Sequence, residues 1–112
     1  MMREFEVNTV GPFLLTRAVL PNLRLAVAAH GQAFVAQITS RMGSIADNGS
    51  GGSYGYRASK TALNMVTQSL SLDLQSEKIG CFVAGMVRII ERAKLGDKLV
   101  MYHFEKGDVL PW

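Results

Sequence analysis

The chain reads as an α/β fold, a parallel sheet covered by helices. Three observations carry this. Stretches with apolar residues at helical spacing alternate with short β-rich runs, in the order α-β-α-β-α-β. No repeat, low-complexity tract or linker divides the chain, so residues 1–112 read as a single domain. At 112 residues, one core is attainable, with roughly two-thirds of the unfolded surface buried. Crossovers between strands are expected to be right-handed.

Residues 2–28 read as the first helix. Val7, Val10, Leu14 and Ala18 form an apolar stripe, with Phe13, Leu20 and Leu23 beside it. Gly11-Pro12 interrupts the pattern, and Pro21 is expected to bend or restart it. His30-Gly31 supplies a C-cap glycine. Residues 33–39, rich in β-formers, read as a buried strand. Ser40 to Ser53 is a Gly-rich loop. Residues 54–76 form the clearest helix, with Leu63, Val66, Leu70 and Leu74 on one side and Ala62, Met65, Ser69 and Leu72 beside them. Lys78-Ile79-Gly80 ends it. Residues 81–84 read as a second strand, 86–95 as a helix, 99–104 as a third strand, and 107–112 as an irregular tail.

Composition narrows the function classes. Apolar residues make up 48% and charged residues 19%, the balance of a soluble globular protein. The net charge of +3 is spread without a basic run, so no nucleic-acid partner is expected. No apolar stretch approaches the roughly 18 residues a membrane span needs. The N-terminus lacks an apolar signal segment, and cytoplasmic location is the default expectation. Cys81 is the only cysteine; it stands in an apolar run and is expected to be a buried, inert thiol. His30 and His103 have no acid or thiol at ligand spacing, so no metal site is expected.

Four features carry chemistry. In Tyr56-Arg-Ala-Ser-Lys60 the i, i+4 spacing puts a phenol and an ammonium on one helix face. A cation beside a phenol stabilises phenolate, which suits the phenol to proton exchange with an alcohol or alkoxide. Taken alone, the pair also fits a lysine stem packed on a ring. Arg57 is expected to face solvent, and Tyr54 to pack or touch substrate. The second feature is Asn8 with Pro12. Proline has no N–H, so the Asn8 carbonyl loses its helical donor and needs another partner, for which water is the usual candidate. The third is Ser40 at the carboxyl end of the first strand, where parallel sheets bind ligands. The fourth is the glycine loop that brings this strand end to the next helix.

Together, in this order, Asn8, Ser40, Tyr56 and Lys60 resemble the short-chain dehydrogenase/reductase family. The runs Ser40-Arg-Met-Gly-Ser-Ile-Ala-Asp47 and Gly52-Ser-Tyr-Gly-Tyr56-Arg-Ala-Ser-Lys60 look most like its C-factor and sniffer-type carbonyl reductase branch. Ser40 is preferred over Ser44 because it precedes the Arg-Met-Gly43 turn as the family's serine does.

The resemblance implies hydride transfer between NAD or NADP and a small-molecule carbonyl or alcohol. Tyr56 would exchange the proton. Lys60 would stabilise its phenolate and hold the nicotinamide ribose, so Tyr56 and Lys60 are also the cofactor-binding candidates. Ser40 would polarise the carbonyl. The Asn8 carbonyl would hold the water of a proton relay to Lys60. The implied fold is a partial Rossmann-like domain with a three-stranded parallel sheet.

The family's Gly-rich phosphate-binding motif is missing from the sequence, as is a segment after residue 84. The expectation is therefore a truncated domain lacking the N-terminal nucleotide-binding half. The alternative is a non-catalytic remnant, acting as an oligomerising or small-ligand-binding α/β module. In the family, helices matching 2–28 and 54–76 form a four-helix dimer interface. A homodimer or larger assembly is expected through them.

Overall fold

A computed structural model describes residues 1–84, 101–102 and 109–110. The first helical stretch has three parts. Helix α1 (Met2–Phe5) leads into a π-helical turn, Glu6–Val10, and then into α2 (Gly11–His30). Within the π turn the Gly11 N–H bonds the Glu6 carbonyl, one residue wider than α spacing. The wide turn falls where Pro12 removes the α-helical donor for the Asn8 carbonyl. The bend or restart expected at Pro21 does not interrupt α2, which runs through it. Gly31 ends the helix at φ 87°, a left-handed cap that a side chain would disfavour.

Strand β1 (Ala33–Ile38) pairs in parallel with β2 (Ile79–Ala84), register Ala33 to Ile79 through Ile38 to Ala84. Between them lie a 3₁₀ turn, Arg41–Gly43, helix α3 (Tyr54–Leu74) and a second 3₁₀ turn, Gln75–Glu77. Alternate strand residues face the two helices. Ala33, Ile79 and Cys81 are buried with Leu74, and Leu20, Leu23, Ala26, Val27, Val35 and Leu70 pack around them. Each large aliphatic side chain fully buried here contributes about 1.5–3 kcal/mol. On the opposite sheet face the rings of Phe34 and Phe82 meet edge to face at 6.3 Å.

Two departures from the sequence pattern stand out. The apolar stripe Val7, Val10, Leu14 and Ala18 lies away from the core: all four side chains are exposed. Thr9 and Thr16, each 4% exposed, take the inward face instead. Their hydroxyls are satisfied there, Thr16 donating to the Pro12 carbonyl at 2.8 Å and accepting from Gln37 Nε2 at 3.2 Å. Of the α3 residues beside its apolar side, Met65 and Leu72 are exposed as well.

The second departure concerns the third strand. The sheet containing β1 is two-stranded among the described residues. Strand β3 (Met101–Tyr102) pairs antiparallel with β4 (Val109–Leu110), which falls in the tail expected to be irregular. The connection between them is too short for a parallel crossover, which needs about a dozen residues or more. The expected helix at 86–95 lies outside the described residues.

Cys81 is buried, as its apolar surroundings suggested, and desolvation raises its thiol pKa from 9.0 to about 11. In the unfolded chain the thiol ionises first, so the stability this group contributes is full below pH 9 and is lost as pH rises towards 11. Urea midpoints should fall over that window by the equivalent of roughly 2 kcal/mol or less. The fall should exceed that of Cys81→Ala over the same range. Equal slopes in the two proteins would show that Cys81 is not desolvated.

Candidate active site

Tyr56 and Lys60 lie one turn apart near the start of α3, both half-buried. The Lys60 ammonium stands 5.9 Å from the centre of the Tyr56 ring. Its hydrogen bond goes to the Ile38 carbonyl at 3.2 Å. Lys60 thus bridges the tyrosine and the carboxyl end of β1, at the last residue of the sheet pair.

Ser40 follows that strand end. Its Oγ accepts from the Met42 N–H at 3.2 Å and caps the 3₁₀ turn. With one lone pair engaged this way, the hydroxyl hydrogen remains available to donate. Ser44, the alternative serine, is 1% exposed, accepts from the Asp47 N–H and lines a cleft between the loop and α3. Among the described residues no hydrogen bond joins Ser40 to Tyr56 or Lys60.

Asn8 reaches the same turn of α3 from the π segment. Its Nδ2 donates to Ser59 Oγ at 3.1 Å, and the neighbouring Thr9 hydroxyl donates to the Ser59 carbonyl at 2.7 Å. Ser59 Oγ in turn donates to the Tyr56 carbonyl at 2.7 Å. The structure therefore brings Asn8, Tyr56 and Lys60 onto one turn, with Ser40 held separately at the adjoining strand end.

Several residues that build this arrangement were not singled out from the sequence. Gly43 lies against α3, and a Cβ there would meet Lys60 Cβ at 2.9 Å and the Lys60 carbonyl carbon at 3.1 Å. Its carbonyl accepts from Thr61 Oγ1 at 2.9 Å and from Asn64 Nδ2 at 3.4 Å. Asn64, 3% exposed, also accepts from Thr39 at 3.0 Å and so joins strand end, loop and helix. The signal available was a run of small hydroxyl and amide residues inside a helix, which usually marks side chains bonded back to backbone. Arg57, expected to face solvent, instead holds the glycine loop, donating to the Gly52 carbonyl at 3.1 Å and Ser50 Oγ at 3.2 Å. Gly51, Gly52 and Ser53 all have left-handed backbone just before α3 begins. Tyr54 is 79% exposed.

A cleft of about 470 Å³ lies between the loop and the neighbouring face of α3, lined by Met42, Ile45, Arg57, Ala58, Thr61 and Met65 among others. None of Asn8, Ser40, Tyr56 and Lys60 lines it.

Asn8, Tyr56 and Lys60 thus meet on α3 beside the carboxyl end of a parallel strand, with Ser40 held separately at that strand end. Comparison with known proteins shows the family. The short chain dehydrogenase profile matches residues 1–93, and the chain belongs to that family. It is 49% identical over 77 residues to the C-signal protein of Myxococcus xanthus, covering 69% of this chain and 44% of that one. It is 41% identical over 87 residues to 1-hydroxy-2-glutathionyl-2-methyl-3-butene dehydrogenase of Rhodococcus sp. (strain AD45), covering 76% and 36%. Among solved structures, it superposes on the carbonyl reductase Sniffer of D. melanogaster with TM-score 0.87 at 29% identity, over 96% of this chain and 55% of that one. The NADPH-bound carbonyl reductase from chicken fatty liver gives TM-score 0.83 at 26% identity, over 100% and 58%. The chain spans about half or less of the length of these relatives.

Gly43→Ala should destabilise the chain by about 1–3 kcal/mol, because the added methyl meets the Lys60 Cβ and backbone and the buried Asn64 amide, none of them the free end of a flexible side chain. Gly49→Ala, with nothing within 4 Å of the new Cβ, should be close to neutral. Equal denaturation midpoints for the two variants would show that the loop does not rest on Lys60.

Proposed function

We propose that the chain carries the proton-transfer portion of a nicotinamide-dependent oxidoreductase acting on a small carbonyl or alcohol. The observation that carries this reading is the Lys60 ammonium placed over the Tyr56 ring and tied to the carbonyl at the end of β1. The donor set fits the nicotinamide-ribose end of NAD or NADP, since an ammonium has three N–H donors and the bond to Ile38 uses one. Among the described residues no strand, Gly-rich turn and helix form a cradle for the pyrophosphate. When bound, the nicotinamide supplies or accepts the hydride.

The chain's own groups do the rest. Tyr56 Oη gives a proton to the developing alkoxide, or takes one from an alcohol. Lys60 stabilises the phenolate that results and holds the ribose hydroxyls. Ser40, its oxygen already accepting from Met42, donates its hydrogen to the substrate oxygen. The Asn8 carbonyl, deprived of an α-helical donor by Pro12, holds the water through which Lys60 exchanges protons. A relative that is a dehydrogenase and a neighbour solved with NADPH support the reading.

A second reading rests on a different observation. Val7, Val10, Leu14, Leu15 and Leu25 form exposed apolar surface on the first helical stretch, and Met65 and Leu72 do so on α3. Surface of this kind suits association, so the chain would act as a self-assembling, non-catalytic module. Light scattering at micromolar concentration should show a dimer or larger species, and Leu14→Glu should shift it towards monomer. A monomer before substitution removes this reading.

Titration with NADPH and NADH tests the first. Saturable enhancement of nicotinamide fluorescence is expected. In any carbonyl reduction observed, Tyr56→Phe should lower turnover by about 10²–10⁴-fold while cofactor affinity stays within a few-fold. A folded chain that binds neither cofactor at millimolar concentration, or turnover retained in Tyr56→Phe, refutes the assignment.

A further inference from the structure

The strongest unassigned feature is Ser59, which sits between Ala58 and Lys60 with 0% exposure. Three hydrogen bonds pass through this one residue. Its hydroxyl donates to the Tyr56 carbonyl and accepts from Asn8 Nδ2, and its carbonyl accepts from Thr9. A buried hydroxyl with both donor and acceptor engaged has one low-energy orientation, so it transmits position rather than merely filling space.

We propose that Ser59 is a positioning residue. It latches the first turn of α3 to the π segment, and through that latch it sets where the Tyr56 ring and the Lys60 ammonium stand relative to each other. The Asn8 side chain belongs to this latch. The inference deepens the oxidoreductase reading but is tested without it.

Thr67 offers an internal control. It lies on the same helix, is equally buried, and makes the same kind of back-bond, donating to the Leu63 carbonyl at 2.7 Å. It has no tie to the π segment. Ser59→Ala removes two hydrogen bonds of a buried hydroxyl and Thr67→Val removes one, so Thr67→Val controls for the loss of a buried back-bond alone. Only loss of Ser59 should disturb the pair.

The readout is the NMR signal of the Lys60 ε-methylene, which the Tyr56 ring current displaces upfield because the side chain lies over the ring. Tyr56→Phe keeps that displacement and Tyr56→Leu removes it, which assigns the signal. In Ser59→Ala the displacement should be lost, and in Thr67→Val it should remain. Asn8→Ala, which removes the latch's bond to the Ser59 hydroxyl from its half-buried end, should reduce it too and serves if Ser59→Ala does not fold. Displacement unchanged in whichever of Ser59→Ala and Asn8→Ala folds, or lost to the same degree in Thr67→Val, overturns the proposal. Cofactor binding plays no part in this experiment, so its failure and the failure of the oxidoreductase reading are separate results.

Discussion

One missing hydrogen organises the site. Pro12 has no N–H to give the Asn8 carbonyl, and the helix answers with a wide turn over Glu6–Val10 rather than with a break. The wider turn directs two consecutive polar side chains, Asn8 and Thr9, at one residue of α3. A regular α-helix cannot do this as readily, because adjacent residues point about 100° apart around it. The contact fixes α3 at the turn that carries Tyr56 and Lys60.

From that contact the remaining geometry follows. Held at Ser59, α3 lies where Lys60 reaches the end of β1 and where Gly43, having no side chain, lets the loop come against the helix. Asn64 then closes the arrangement by bonding strand end and loop together. The parallel pairing of β1 with β2 supplies the platform, and its helix-side face is satisfied by apolar packing with Gln37 bonded to Thr16. Proton chemistry at a phenol depends on such fixed neighbours, since a cation must stay close to the oxygen whose charge it stabilises.

Much of this was legible in residue order. Alternating patterns gave both long helical stretches and both strands of the parallel pair, because apolar periodicity reports burial directly. The Gly31 cap and the disturbance at Pro12 were legible for a local reason, the conformational limits of those two residue types. The inward face of the first helix was not. Its most apolar stripe is exposed, and threonines whose hydroxyls bond backbone carbonyls, Thr9 on α3 and Thr16 on its own helix, take the buried side. Hydropathy counts a hydroxyl as polar whether or not it is satisfied, so periodicity pointed to the wrong face. The roles of Ser59 and Gly43 depend on long-range approach, which no local pattern records. The pairing of β3 with β4 was missed because a two-residue strand is too short to carry a period.

The central claim is that Pro12 forces the wide turn and that the wide turn aims Asn8 and Thr9 at Ser59. Pro12→Ala tests it most directly, since it restores the absent N–H and little else. Nuclear Overhauser contacts from the side chains of Asn8 and Thr9 to Ser59 are the quantity to measure. The account predicts that they weaken or vanish as the segment closes into regular α-helix, with α2 and α3 still folded. Contacts of unchanged strength in Pro12→Ala would contradict it.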